Sequence, residues 1–128
     1  MVYRRVDART KWGDVVGYSR AVRAGNVISV SGTASSDKDG GIVGRGDPYA
    51  QTVFIVRKIE EALKELDAGL SDVVRTRIYT TDITRWPEIA RAHKQFFGAT
   101  KPATSMVQVS GLIDPEMLVE IEAEAIVE

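Results

Sequence analysis

The stretch Lys101-Pro102-Ala103-Thr104-Ser105-Met106-Val107-Gln108-Val109, a loop at Ser110–Pro115, and Val119-Glu120-Ile121-Glu122-Ala123-Glu124-Ala125-Ile126-Val127 decides the fold. It reads as two strands. In the second, Val119, Ile121, Ala123 and Ala125 point one way, while Glu120, Glu122 and Glu124 share the opposite face. Period-two alternation of this kind marks a strand with one face covered and one face polar.

Working outward, Val73–Thr81 also alternates. Val74, Thr76, Ile78 and Thr80 fall on one face, and Arg75, Arg77 and Tyr79 on the other. Were this strand a neighbour of the last one, arginines and glutamates would pair across it, each exposed pair adding a few tenths of a kcal/mol. Asp47-Pro48 predicts a helix start, with aspartate as N-cap and proline at the first helical position. Tyr49, Val53, Val56, Ile59, Leu63 and Leu66 then recur in steps of three and four, which predicts an amphipathic helix stopped near Gly69. Lys58, Glu61, Lys64 and Glu65 fall mostly on its solvated side. A second helix follows Asp82–Pro87, with Ile89, His93, Phe96 and Phe97 inward and Gly98 at its end.

Toward the N-terminus, Ser19–Ala24 and Val27–Thr33 are strand-like and joined by Gly25-Asn26, a pair that tolerates positive φ in a hairpin turn. Val27, Ser29 and Ser31 would face one way, and Ile28, Val30 and Gly32 the other. After the turn-rich Ser35–Gly41, a short strand is expected at Ile42-Val43. The predicted order is β-β-β-α-β-α-β-β, an α+β two-layer domain with two helices on one face of a single sheet.

The 128 residues fit one domain, 1–128, long enough to bury a core without a staple. The absence of cysteine excludes disulfides and thiolate chemistry, and the single His93 excludes a multi-histidine metal site within one chain. A net charge of −1 with interspersed signs gives no general pull toward nucleic acid. The arginines of the N-terminal third, Arg4, Arg5, Arg9, Arg20 and Arg23, read as solvated surface. No apolar run approaches the roughly 18 residues of a membrane span and no signal-peptide pattern opens the chain, so a cytoplasmic protein without membrane partners is expected. The charged sheet face has two readings: a solvated surface laced with ion pairs, or a face packed against other copies of the chain.

Taken together, the spaced pieces resemble the Rid/YjgF family of reactive-intermediate (enamine/imine) deaminases, also described as endoribonuclease L-PSP proteins. The pieces are Gly17-Tyr18-Ser19, Ile28-Ser29-Val30-Ser31-Gly32, Ala50-Gln51-Thr52, Ala68-Gly69-Leu70-Ser71-Asp72-Val73-Val74-Arg75-Thr76, Tyr79-Thr80-Thr81-Asp82, Phe96-Phe97, Lys101-Pro102-Ala103-Thr104-Ser105 and Ile121-Glu122-Ala123-Glu124-Ala125. The resemblance implies a chorismate-mutase-like fold and a homotrimer with a small-molecule cleft at each subunit interface. It implies Glu122 as the catalytic carboxylate that activates water, and Tyr18, Ser31, Gly32, Thr104 and Met106 as ligand-binding residues. No metal or cofactor is implied.

Four positions depart from the family pattern, one of them Ala90, which occupies the place of a frequent helix asparagine. Gly17 stands where the family start has proline, Met106 where cysteine is frequent, and Thr104 where the deaminase branch carries an arginine that grips the substrate carboxylate. A guanidinium makes two charge-assisted bonds to a carboxylate, whereas a threonine hydroxyl offers one neutral donor. Losing such a partner costs on the order of 2–5 kcal/mol. The expected function is therefore the binding of a small metabolite, with hydrolysis of enamines or imines to ketones and ammonia. The alternatives are a trimer that binds without turnover and, ranked last, an endoribonuclease. Arg20 or Arg23 is the candidate substitute cation.

Overall fold

The structure is a computed structural model and describes residues 2–128. Its strands are β1 (Tyr3–Asp7), β2 (Ser19–Ala24), β3 (Val27–Ala34), β4 (Val73–Thr80), β5 (Ala103–Gln108) and β6 (Val119–Ile126). They form one mixed sheet in the order β1-β2-β3-β6-β4-β5, in which only β4 and β5 run parallel. Helices α2 (Pro48–Glu65) and α3 (Trp86–Phe97) lie on one side of the sheet; the short α1 (Gly13–Val16) links β1 to β2. The α+β two-layer expectation holds. No helix among the described residues is long and apolar enough to cross a membrane.

The strand expected at Ile42-Val43 is only an isolated bridge between Ser36 and Ile42. The first strand of the sheet is instead Tyr3–Asp7, where Val6 alone is buried, so no hydrophobic alternation announces it. The start of α2 follows its sequence signal: Asp47 Oδ1 accepts the Ala50 N–H at 3.1 Å, a cap worth about 1 kcal/mol. Its end comes earlier than Gly69. Asp67 adopts φ 59° and the Ala68 N–H turns back to the Leu63 carbonyl at 2.9 Å, which closes the helix after Glu65.

Ile55, Val56, Ile59 and Leu63 of α2 and Ile89 and Phe97 of α3 pack on Ile28, Val30, Ile78, Ile121 and Ala123. Each large apolar side chain so buried contributes roughly 1.5–3 kcal/mol. Every buried residue of β6 is odd-numbered, as its alternation requires.

Two bulges break the simple alternation elsewhere. In β4 the register passes from Val73↔Ala125 to Arg75↔Glu124, so Val73 is buried and the surplus Val74 exposed, the reverse of the sequence expectation at that end. In β3 it passes from Val30↔Ala123 to Thr33↔Ile121. Ser31 and Gly32 thereby have no cross-strand partner, and Thr33, not Gly32, continues the buried face of Ile28 and Val30.

Candidate functional site

The bulge in β3 is where the site begins. Beside it opens a cleft of about 390 Å³ whose lining includes Trp12, Tyr18, Arg20, Ser31, Gly32, Lys58, Met117, Glu120 and Glu122. Four sequence-predicted site residues, Tyr18, Ser31, Gly32 and Glu122, therefore meet in one place.

Tyr18 enters from the end of α1, where Gly17 takes φ 83° and turns the chain into β2. Its hydroxyl exchanges a hydrogen bond with Thr10 Oγ1 at 2.8 Å and accepts one from Arg20 Nη2 at 3.2 Å. Arg20 also lies against the Tyr18 ring, 5.5 Å from its centroid. Its Nη1 donates to the Gly32 carbonyl and to Thr33 Oγ1, both at 2.8 Å. Far from being solvated, Arg20 is 6% exposed, and burial lowers its pKa from the ordinary arginine value.

The Ser31 hydroxyl donates to the Ser19 carbonyl at 2.6 Å, which leaves its oxygen free to accept a hydrogen bond. Gly32 touches the Glu120 carboxylate so closely that a Cβ there would stand 2.8 Å from Glu120 Oε2. Burial raises the Glu120 pKa, offset by Arg20 and reinforced by Glu122. Glu122 accepts a hydrogen bond from the Tyr79 hydroxyl on β4, and that bond, with burial and the negative charge beside it, raises the Tyr79 pKa.

The cleft floor holds Lys58 of α2. Its ammonium donates to the Ser36 carbonyl at 2.9 Å and the Ala34 carbonyl at 3.2 Å. Burial first, then the neighbouring Arg20, push its pKa down to about 8. The cleft thus offers a hydrogen-bonded carboxylate, a second half-buried carboxylate and two cations around one small volume. Among the described residues no group of three or more His, Cys, Asp or Glu side chains is placed to hold a metal ion.

The family model described as Endoribonuclease L-PSP matches residues 10–127. The chain belongs to that family, the Rid/YjgF proteins. Among solved structures, a Mycobacterium tuberculosis member of the YjgF/YER057c/UK114 family superposes with a TM-score of 0.89 at 48% identity, covering 98% of this chain and 100% of that one. An uncharacterized protein of Streptomyces coelicolor is 37% identical over 95% of this chain and 90% of its own length. A 3-aminoacrylate deaminase of Acinetobacter baylyi is 34% identical over 84% of this chain and 85% of its own. The solved structures that this chain resembles have the chorismate-mutase-like fold.

Within this Rid/YjgF chain, Thr104 and Met106 stand apart from the cleft. The parallel β4–β5 register sets Thr104 beside Thr76 and Met106 beside Ile78, on the helix-facing side of the sheet. Thr104 Oγ1 donates to the Pro102 carbonyl at 3.1 Å and shares a 2.8 Å bond with Thr76 Oγ1. Thr76 Oγ1 also meets His93 Nε2 at 2.9 Å; that imidazole stacks on Phe97, and burial lowers its pKa. Arg23 turns away to the carbonyls of Gly25 and Leu66. Of the two candidate cations only Arg20 reaches the cleft. Lys58 escaped notice as a solvated helix residue, yet it lies in the row Gln51, Ile55, Lys58, Ala62, whose other members are buried.

Proposed function

We propose that this protein binds a small metabolite in the cleft of Tyr18, Ser31, Gly32 and Glu122 and hydrolyses enamines or imines to carbonyl compounds and ammonia. The observation that carries the reading is the meeting of those four residues in one cleft, beside a carboxylate already held by a strand neighbour. In this reaction water adds to the C=N carbon while Glu122 takes one of its protons. The resulting carbinolamine then collapses to C=O, the proton passing to departing ammonia. An enamine enters after tautomerising to the imine. A protonated C=N carbon is already electrophilic, so the reading asks for no cofactor. The 34% identical relative named for 3-aminoacrylate, an enamine, supports the substrate class.

The protein acts, on this reading, as a homotrimer through the outer face of the sheet, with the cleft at the subunit boundary. Val27, Val74 and Val107, each 44–47% exposed, give that charged face apolar patches suited to a partner. Thr104 and Met106, on the helix-facing side of β5 with Met106 packed on the core, lie outside that face and outside the cleft.

Ammonia release from a freshly generated imine tests the reading. The trimer should accelerate it over buffer, and Glu122→Gln should lower the rate by about 10²–10⁴-fold with the fold intact. No acceleration across several imines by an intact trimer would sink it. A second reading, binding without turnover, is favoured by the uncharged Thr104 and its satisfied hydrogen bonds. It predicts a ligand-induced rise in melting temperature with no product. Ribonuclease action finds less support, because the one histidine is half-buried against Thr76 and Phe97 and stands outside the cleft.

A further inference from the structure

Among the described residues there are five ion pairs: Arg4–Asp67, Arg9–Glu65, Arg45–Glu116, Arg77–Glu124 and Arg85–Glu88. All of them involve substantially exposed arginines. The two most deeply placed cations of the cleft, Arg20 and Lys58, are missing from that set. Neither has a carboxylate within 4.0 Å among the described residues. This reverses the usual distribution, in which buried charges are the paired ones. The two are also close enough for Arg20 to disfavour the charge on Lys58. Glu120 acts on Arg20 through space, but its carboxylate turns against Gly32 and makes no ion pair with the guanidinium.

The donors are available as well as the charge. Arg20 Nε is buried and has no hydrogen-bond partner among the described residues, and Nη2 makes one bond, to Tyr18. The Nε–Nη2 edge of a guanidinium is one that can grip a carboxylate side-on with two parallel bonds. Lys58 makes two short bonds to carbonyls and one long one of 3.4 Å to Ser36 Oγ, so its third proton is weakly held. Arg20, Ser36 and Lys58 form the wall between the cleft and a second cavity of about 320 Å³ on its far side. An anion in the cleft therefore meets both cations, whereas the second cavity also carries the carboxylates of Asp7, Asp37, Glu61 and Glu65.

We propose that Arg20 and Lys58 form the anion-binding end of the cleft and hold the carboxylate of a small ligand whose other end faces Glu122. The inference rests on the cleft reading above and narrows it. The substrate class is a small carboxylate-bearing imine or enamine, anchored from within the same protomer and not through position 104.

Titration of the intact protein with 2-oxobutanoate, and with its uncharged amide, tests this. The wild type should bind the acid in preference to the amide. Lys58→Met and Arg20→Gln should each weaken acid binding by roughly 10- to 100-fold and weaken amide binding much less, while Lys58→Arg should recover most of the loss. Melting curves establish that each variant is folded. Lys58→Met, nearly isosteric, carries the test should Arg20→Gln not fold. Equal affinity for acid and amide, or acid binding indifferent to Lys58→Met in a folded protein, overturns the inference. If acid binding survives both substitutions while Glu122→Gln still abolishes ammonia release, only the anion site falls. If both substitutions weaken acid binding but no imine is hydrolysed, the anion site stands and turnover falls.

Discussion

Tyr79 donates its hydroxyl hydrogen bond to Glu122, although the strand register sets Tyr79 opposite Glu120. Arg77 likewise reaches past its opposite number, Glu122, to Glu124 at 3.0 Å. Both contacts run diagonally and in the same sense across β4 and β6. The shift leaves Glu120 without a strand partner, and its carboxylate turns against Gly32 at the cleft.

This diagonal pairing should be visible in an ultraviolet titration. The protein has four tyrosines, and Tyr79 should ionise at higher pH than its ordinary value near 10, because a phenolate would lose its bond to Glu122 and face a negative charge. Its folded pKa lies above the unfolded one, so the associated stability is present below pH 10 and is lost as the pH rises through the folded value. Glu122→Gln should abolish the late phase; a late tyrosine that persists in that variant would break the assignment.

Gly17 allows a test of the entry to the site. Its φ of 83° and its N–H, which donates to the Gly13 carbonyl at 2.7 Å, are both incompatible with proline. Gly17→Pro should therefore destabilise by about 3 kcal/mol or more and lower the melting temperature by on the order of 10 °C. Gly17→Ala should cost only about 1 kcal/mol. A proline variant as stable as wild type would show that Tyr18 is delivered by a different turn.

At Gly32 the close approach of Glu120 predicts a coupled pair. Gly32→Ala should fold, lose about 1–2 kcal/mol and weaken 2-oxobutanoate binding as the carboxylate is displaced. Combined with Glu120→Ala the stability cost should shrink, since the clashing atoms are gone; a strictly additive double mutant would refute the contact.

Lys58 should titrate near pH 8 in side-chain NMR, well below the ordinary lysine value of 10.5, with burial and Arg20 opposing its charge and Asp37 and Glu61 favouring it. Arg20→Gln should move the midpoint upward, as should a bound carboxylate. Affinity for 2-oxobutanoate should accordingly be full below about pH 8 and fall above it. For stability, the unfolded chain binds the extra proton between about 8 and 10.5, so this group's contribution rises with pH across that window. A midpoint near 10.5 in the free protein would contradict the burial.

Much of the fold was legible because it is written in local patterns. Asp47-Pro48 capped the helix it announced, and the odd-numbered apolar residues of β6 all turned inward. Where the reading failed, the cause was non-local or unpatterned. Tyr3–Asp7 joins the sheet on backbone pairing with β2 and buries only Val6. The bulges at Val74 and at Ser31-Gly32 change face assignments without leaving a composition signal. At the site, Tyr18, Ser31, Gly32 and Glu122 came together as their motifs suggested. Arg20 and Lys58 read as surface charges because sequence does not reveal which polar residues a cleft will enclose.

The surplus residue in β3 reaches further than its own bond angles. Before it, even-numbered side chains, Ile28 and Val30, belong to the core; after it, Thr33 does, and Ala34 passes to the Glu120 side. Deleting one residue between 30 and 33 would restore unbroken parity and could leave every strand in place, yet it would carry Ser31 and Gly32 out of the cleft wall. The candidate cleft of this chain is thus a matter of reading frame within a strand, so a shift of one position would erase it while the fold itself endures.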